Sequence, residues 1–145
     1  MHVKKSKNLI CIRMEEGEDF FENVHEVVKR FKLKSGIILH AIGQFKDVEL
    51  AFYDRKRKKY SVKKFKGPFE VVSLTGNVSF FEKQVVVHTH TVLGKKNFGV
   101  IAGHLNKATV VSTLEMFILT TPLSFKRKLD ELSGLKLLNF QKGKS

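Results

Sequence analysis

The sequence predicts an α+β domain: a largely antiparallel β-sheet with one main helix packed on it. Three observations carry this. One segment near the N-terminus repeats apolar residues at helical spacing, the stretch from Gly36 to Leu119 is rich in Val, Ile, Phe and Tyr, and the connections between its β-like runs are short. Short connections favour antiparallel pairing, because parallel neighbours need a crossover of a dozen or more residues. At 145 residues the chain suits a single domain around one core.

Residues 1–7 read as a basic N-terminal tail, and Asn8 to Arg13 as a first strand. Asp19 then stands before Phe20-Phe21-Glu22, an N-cap with an acid three residues on. Phe20, Val24, Val27, Val28 and Phe31 form one apolar stripe. Lys29, Arg30, Lys32 and Lys34 gather in and just beyond the last turn, where the helix dipole favours cations. The pattern predicts a helix over Asp19–Leu33, with Gly36 as its stop. Seven strands follow, at Ile37–Ile42, Asp47–Tyr53, Lys59–Phe65, Phe69–Leu74, Gln84–Val92, Phe98–Ala102 and Thr109–Leu119, separated by Gly-, Pro-, Asn- and Lys-rich turns. After Pro122 a short helix is expected over Ser124–Leu132, and a closing strand over Leu135–Phe140. The basic tail 141–145 is expected to fray.

Composition excludes several classes. The chain is 42% hydrophobic and 28% charged, a globular balance. No apolar run approaches the ~20 residues that span a bilayer, so no membrane-spanning helix is expected. The basic start is followed only by Leu9, Ile10, Cys11 and Ile12 before Arg13, too short for a secretory core. The single cysteine, Cys11, precludes an internal disulfide and a Cys-built zinc site; it fits a cytoplasmic setting and reads as a small buried hydrophobe. Phosphate-cradling, dinucleotide-binding and nucleophile-elbow motifs are absent from the sequence.

Charge is the strongest compositional signal. Twenty-seven Lys and Arg against fourteen Asp and Glu leave +13, a field that attracts polyanions, nucleic acid foremost. Arg55, Lys56, Arg57, Lys58, Lys59, Lys63, Lys64 and Lys66 fall within twelve residues containing no acid, with Tyr60 and Phe65 interleaved. On a hairpin they make a basic ribbon able to track the phosphates of DNA or RNA, with Lys95 and Lys96 as lesser contacts. The competing reading is a solvated hairpin tip that protects a sheet edge.

Of six histidines, three stand out. His88 and His90 are two apart in a strand and so share a face. If the chain reverses at Gly94–Lys96, the next strand brings His104 beside them. Three imidazoles around an open fourth position can hold zinc or another divalent transition metal; a metal-free polar cluster is the alternative. Glu115, an acid in an apolar strand, is a candidate for orienting a ligand or for acid–base work, or else for a cross-sheet ion pair. His2, His25 and His40 lack such company and suit surface or core-edge positions.

The order of motifs resembles a known family. Arg13-Met-Glu-Glu-Gly17-Glu-Asp19, Gly67-Pro-Phe-Glu70-Val-Val-Ser73-Leu-Thr-Gly76 and His88-Thr-His90 followed by Gly99-Val-Ile-Ala-Gly103-His104-Leu and Thr113-Leu-Glu115 are similar, in order and spacing, to the plant-and-prokaryote conserved (PPC) domain. The resemblance covers about Leu9 to Phe140, and a PPC-like domain over 8–140. It implies an α+β domain that assembles as a homotrimer, and a DNA-binding or DNA-associated regulatory role. In plants the domain is joined to an AT-hook, which this sequence lacks, as a stand-alone prokaryotic member would. It further implies a shared metal or ligand pocket at His88, His90 and His104; in a small-molecule or metal-dependent reading of that site, Arg13 is a candidate anion anchor. The histidine spacing is also similar to that of zinc-dependent acetolactate decarboxylase, the basis for a metal-dependent lyase or hydrolase alternative. A binding role takes precedence over an enzymatic one at this stage.

Overall fold

A computed structural model describes residues 1–140. The chain runs β1 (His2–Ser6), β2 (Leu9–Glu15), α1 (Phe20–Arg30), β3 (Gly36–Asp54), β4 (Lys59–Phe65), β5 (Phe69–Phe81), β6 (Gln84–Gly94), β7 (Val100–Thr120), β8 (Lys126–Leu129) and β9 (Lys136–Leu138). Strands dominate, and every pairing is antiparallel except that of β5 with β8.

Two long strands organise the sheet. The first half of β3 lies between β5 and β7, and its second half between β4 and β7. β6 bridges β5 to β7, so β3, β5, β6 and β7 close a ring. A strand that changes neighbours part-way must bend, and four register shifts between β3 and β7 supply the bends. At one of them Gly43 has φ +139°, and a Cβ there would lie 2.1 Å from the Thr113 carbonyl oxygen. Only glycine fits that crossing.

Alternation on β2 sends Ile10, Ile12 and Met14 into the core and leaves Arg13 and Glu15 exposed. The helix covers that inner face with buried Phe20, Val24, Val27 and Val28, and the Phe20 ring meets Phe45 edge-on at 5.7 Å. Its start is as expected: the Asp19 carboxylate accepts from the Phe21 and Glu22 backbone N–H groups. It ends at Arg30, with Phe31 as C-cap, short of the expected Leu33.

The structure corrects several expectations. Residues expected to be an N-terminal tail form β1, paired along its whole length with β2. Ile37–Ile42 and Asp47–Tyr53 merge into β3, and Phe98–Ala102 and Thr109–Leu119 into β7, because bulges bend those strands where the sequence suggested turns. The helix expected over Ser124–Leu132 is absent. Lys126–Leu129 is instead a strand, held by β5 on one side and β9 on the other, and tertiary pairing there overrides a weak local helical pattern. Cys11 is half-buried rather than buried, on the sheet face away from the helix. The tail 141–145 lies outside the described residues.

Two glycines separate steric from conformational constraint. Gly43→Ala is expected to cost roughly 3–5 kcal/mol by forcing backbone apart. Gly17→Ala has φ +85° but open space around the Cβ, and is expected to cost only about 1–2 kcal/mol. Urea unfolding midpoints of the two variants check the difference.

Candidate metal centre

The β6–β7 hairpin builds the site. Its turn reverses the chain within Lys95–Gly99, where the Lys95 N–H donates to the Gly99 carbonyl and the Phe98 N–H to the Lys95 carbonyl, each at 2.8 Å. The resulting register sets His90 directly opposite His104. His88, two residues before His90, falls on the same face. The three rings converge with centroids 5.1–5.3 Å apart. One ring nitrogen from each lies within 4.8 Å of the others, so the expectation that a hairpin would gather these three residues holds.

The spacing suits a small cation. His88 Nε2 and His90 Nε2 are 3.2 Å apart, against a tetrahedron edge of about 3.3 Å for zinc–nitrogen bonds of about 2.0–2.1 Å. His104 Nδ1 is buried with no hydrogen-bond partner, a cost that a ligated cation would relieve. The residues present therefore fit a three-histidine metal ion.

Burial and nearby positive charge keep His88 and His104 neutral. The His88 imidazole is pushed down to about 4, first by burial and then by the Arg127 charge. His104 is lowered as well, by burial and then by His90 and Arg127. Neutral imidazoles offer the lone pairs that a metal needs.

Four neighbours of the cluster, Tyr60, Arg127, Leu135 and Lys136, escape the sequence reading. The Tyr60 ring packs on His104 at 5.4 Å, so a residue counted with the basic ribbon turns inward to the histidines. Arg127 of β8 donates through Nε to Ser79 Oγ at 2.7 Å, through one terminal nitrogen to Asn77 Oδ1 at 3.0 Å and His88 Nδ1 at 3.3 Å, and through the other to the Lys136 carbonyl at 2.6 Å. In sequence Arg127 is one cation in Lys126-Arg127-Lys128, and nothing local distinguishes it. Arg127, Lys136 and Leu135 wall a cavity of about 330 Å³ with Tyr60, His88 and His104.

Other candidates lie elsewhere. Glu115 is on β7 eleven residues beyond His104, some 35 Å of strand at about 3.3 Å per residue, so within one subunit it does not reach the histidines. It stands opposite Arg13 in the β2–β7 ladder, and the two share a separate cavity of about 260 Å³ with Cys11 and Phe117. The Arg13 guanidinium contacts Glu15, at 3.4 Å, and the expected cross-sheet ion pair of Glu115 is not among the ion pairs of the described residues. His2, His25 and His40 are exposed, as expected. The basic residues do form a hairpin, β3–β4, with Arg55 to Lys58 at its tip. Lys64 pairs with Glu49 at 3.1 Å and Arg57 with Asp54 at 3.8 Å.

The sequence profile of the Plants and Prokaryotes Conserved (PCC) domain matches residues 1–122. The chain belongs to this family. No curated protein matches the chain. Among solved structures, a PPC protein from Pyrococcus horikoshii is 26% identical, with coverage of 97% of this chain and 95% of that one and a TM-score of 0.83. A protein from Archaeoglobus fulgidus described as metal-containing is 31% identical over 96% of both chains, TM-score 0.84. A candidate DNA-binding protein from Bacteroides thetaiotaomicron is 27% identical over 96% of both, TM-score 0.91. The PCC profile thus includes all three histidines and ends before Arg127.

The depressed His88 makes stability depend on pH. Between about pH 6.5 and 4 the unfolded imidazole takes up a proton that the folded one refuses, so stability falls as pH falls through that window. His88→Gln is expected to flatten the melting temperature between pH 6.5 and 4, measured on metal-free protein.

Proposed function

We propose that this PCC protein binds a divalent transition-metal ion through His88, His90 and His104 and presents the open coordination position to a small ligand. The observation that carries the reading is that the three imidazoles each bring a ring nitrogen within 4.8 Å of the others, two of them at tetrahedral spacing, with His104 Nδ1 buried and unpartnered. Zinc fits this donor set, since three imidazoles with one open position are a common catalytic zinc arrangement. When bound, such an ion supplies Lewis acidity and lowers the pKa of a bound water. The chain's own residues do the positioning. The two strands fix the rings, Tyr60 packs on His104, and the Arg127 guanidinium lies 3.3 Å from His88 Nδ1. Because the guanidinium can only donate, ligation through His88 Nε2, which leaves the proton on Nδ1, requires that one contact to open. The metal-containing relative from Archaeoglobus fulgidus supports the reading. Whether the site does chemistry or only binds depends on the ligand, and a zinc-dependent lyase or hydrolase is its enzymatic form.

Elemental analysis of untagged protein dialysed against zinc is expected to give about one ion per chain. His104→Ala is expected to lose most of it while keeping the fold by circular dichroism. Metal-free wild-type protein under those conditions would overturn the proposal.

A second reading rests on the ribbon. Among the described residues Arg55, Lys56, Lys59, Lys63 and Lys66 make no ion pair, and they are exposed. Unpaired cations on a protruding hairpin suit phosphate contacts with DNA or RNA, in keeping with a relative described as a candidate DNA-binding protein. Family membership also supports a homotrimer, which would multiply the field. Exposed Ile37, Leu39 and Ile42 on β3 offer apolar surface for such a contact. This reading places the protein in the cytoplasm as a DNA-associated regulator. Replacing Arg55, Arg57 and Lys58 with Ala is expected to lower low-salt filter retention of DNA at least tenfold. The salt slope should shrink by about one per lost phosphate contact.

A further inference from the structure

We infer that the cavity beside the three histidines takes a small ligand bearing an oxyanion, a carboxylate or a phosphate, and that Arg127 supplies the charge that selects it. The inference rests on the three-histidine reading of the site and adds the chemical class of its ligand.

Among the described residues, the cavity of about 330 Å³ is lined without a single carboxylate. Arg127 enters it from β8, and its partners, Ser79, Asn77, His88 and the Lys136 carbonyl, are all neutral. Burial lowers its pKa from the usual arginine value, yet a guanidinium keeps its proton in proteins. A half-buried positive charge with only dipoles around it is costly unless a counter-charge arrives. Lys136, on the same wall, has its ammonium over the Phe81 ring at 4.2 Å rather than against an acid. A divalent ion on three neutral imidazoles adds two more charges of the same sign. Every fixed charge bordering the cavity is then positive, so an anion is favoured there, whereas a neutral ligand gains little and a cation is repelled.

The hydrogen bonds also define how the anion is held. Nε, one N–H to the Lys136 carbonyl and two contacts from the other terminal nitrogen engage four of the five guanidinium donors. One N–H remains free, and the contact to His88 releases a second when that ring ligates through Nε2. Arg127 thus acts through its charge and these free N–H groups, with the open metal position as the second anchor. A cleft of about 330 Å³ suits one compact ligand, which separates this site from the exposed ribbon of β3 and β4.

Isothermal titration of zinc-loaded protein with inorganic phosphate, acetate and acetamide tests the inference. Phosphate or acetate is expected to bind and acetamide, of the same size as acetate, to bind at least tenfold more weakly. The tighter of the two anions identifies the source. Arg127→Met is expected to weaken anion binding tenfold or more and Arg127→Lys less, with zinc content unchanged by elemental analysis and folding checked by thermal melting. Equal affinity for acetate and acetamide, or Kd unchanged in Arg127→Met, would overturn the inference; the acetamide comparison stands even if that variant fails to fold. A wild-type chain that takes up no zinc would sink the metal reading alone. The same phosphate titration of wild type and Arg127→Lys without metal then decides the role of Arg127.

Discussion

The site depends on the pairing register of β6 with β7. A strand carries alternate side chains to opposite faces, so a slip of one residue would turn His104 away from His88 and His90. That register is set within a few residues by the Lys95–Gly99 turn, whose two backbone hydrogen bonds fix where the hairpin begins. The ring of β3, β5, β6 and β7 then holds it from both sides, because β6 is anchored to β5 along nearly its whole length. Gly76 on β5 permits this closeness: a Cβ there would meet the His88 carbonyl oxygen at 2.1 Å. The imidazoles sit on strands rather than loops, which gives a constellation of three rings little freedom to spread.

Around that geometry the electrostatics are one-sided. Metal-binding histidines usually donate their second nitrogen to a carboxylate or carbonyl, which fixes the tautomer and raises ligand basicity. Here the partner of His88 Nδ1 is a guanidinium, which favours the opposite tautomer and weakens the ring as a base. The burial that keeps His88 and His104 uncharged works with Arg127 to the same end. A metal ion held here would meet no surplus of negative charge, so it would retain more of its Lewis acidity toward a ligand at the open position.

Much of this was legible in the amino-acid sequence. The N-cap Asp19, the apolar stripe of α1 and the antiparallel run after Gly36 rest on local spacing, and local spacing survives folding. The histidine cluster was legible for the same reason, since His-x-His in a strand and a third histidine one hairpin away need only one turn to meet. The merging of strands into β3 and β7 was not, because a bulge looks like a turn until its partner strand is known. Tyr60 and Arg127 were hidden for a related reason. One was camouflaged by neighbouring lysines and the other by thirty-seven residues of separation from His90. Glu115 stayed open among several roles because an acid in an apolar strand carries no mark of which end of a long strand the site occupies.

The C-terminal strands β8 and β9 give the family boundary a physical meaning. The profile match closes at residue 122 with every imidazole inside it, whereas the wall that includes Arg127 and Lys136 lies beyond. A fragment cut at that point would keep the donor triad and lose one side of its chamber, exposing the rings to bulk solvent. The span matched by the profile and the span that walls the cavity are therefore different lengths of chain. A change confined to β8 or β9 would alter the charge of that wall without touching the histidines.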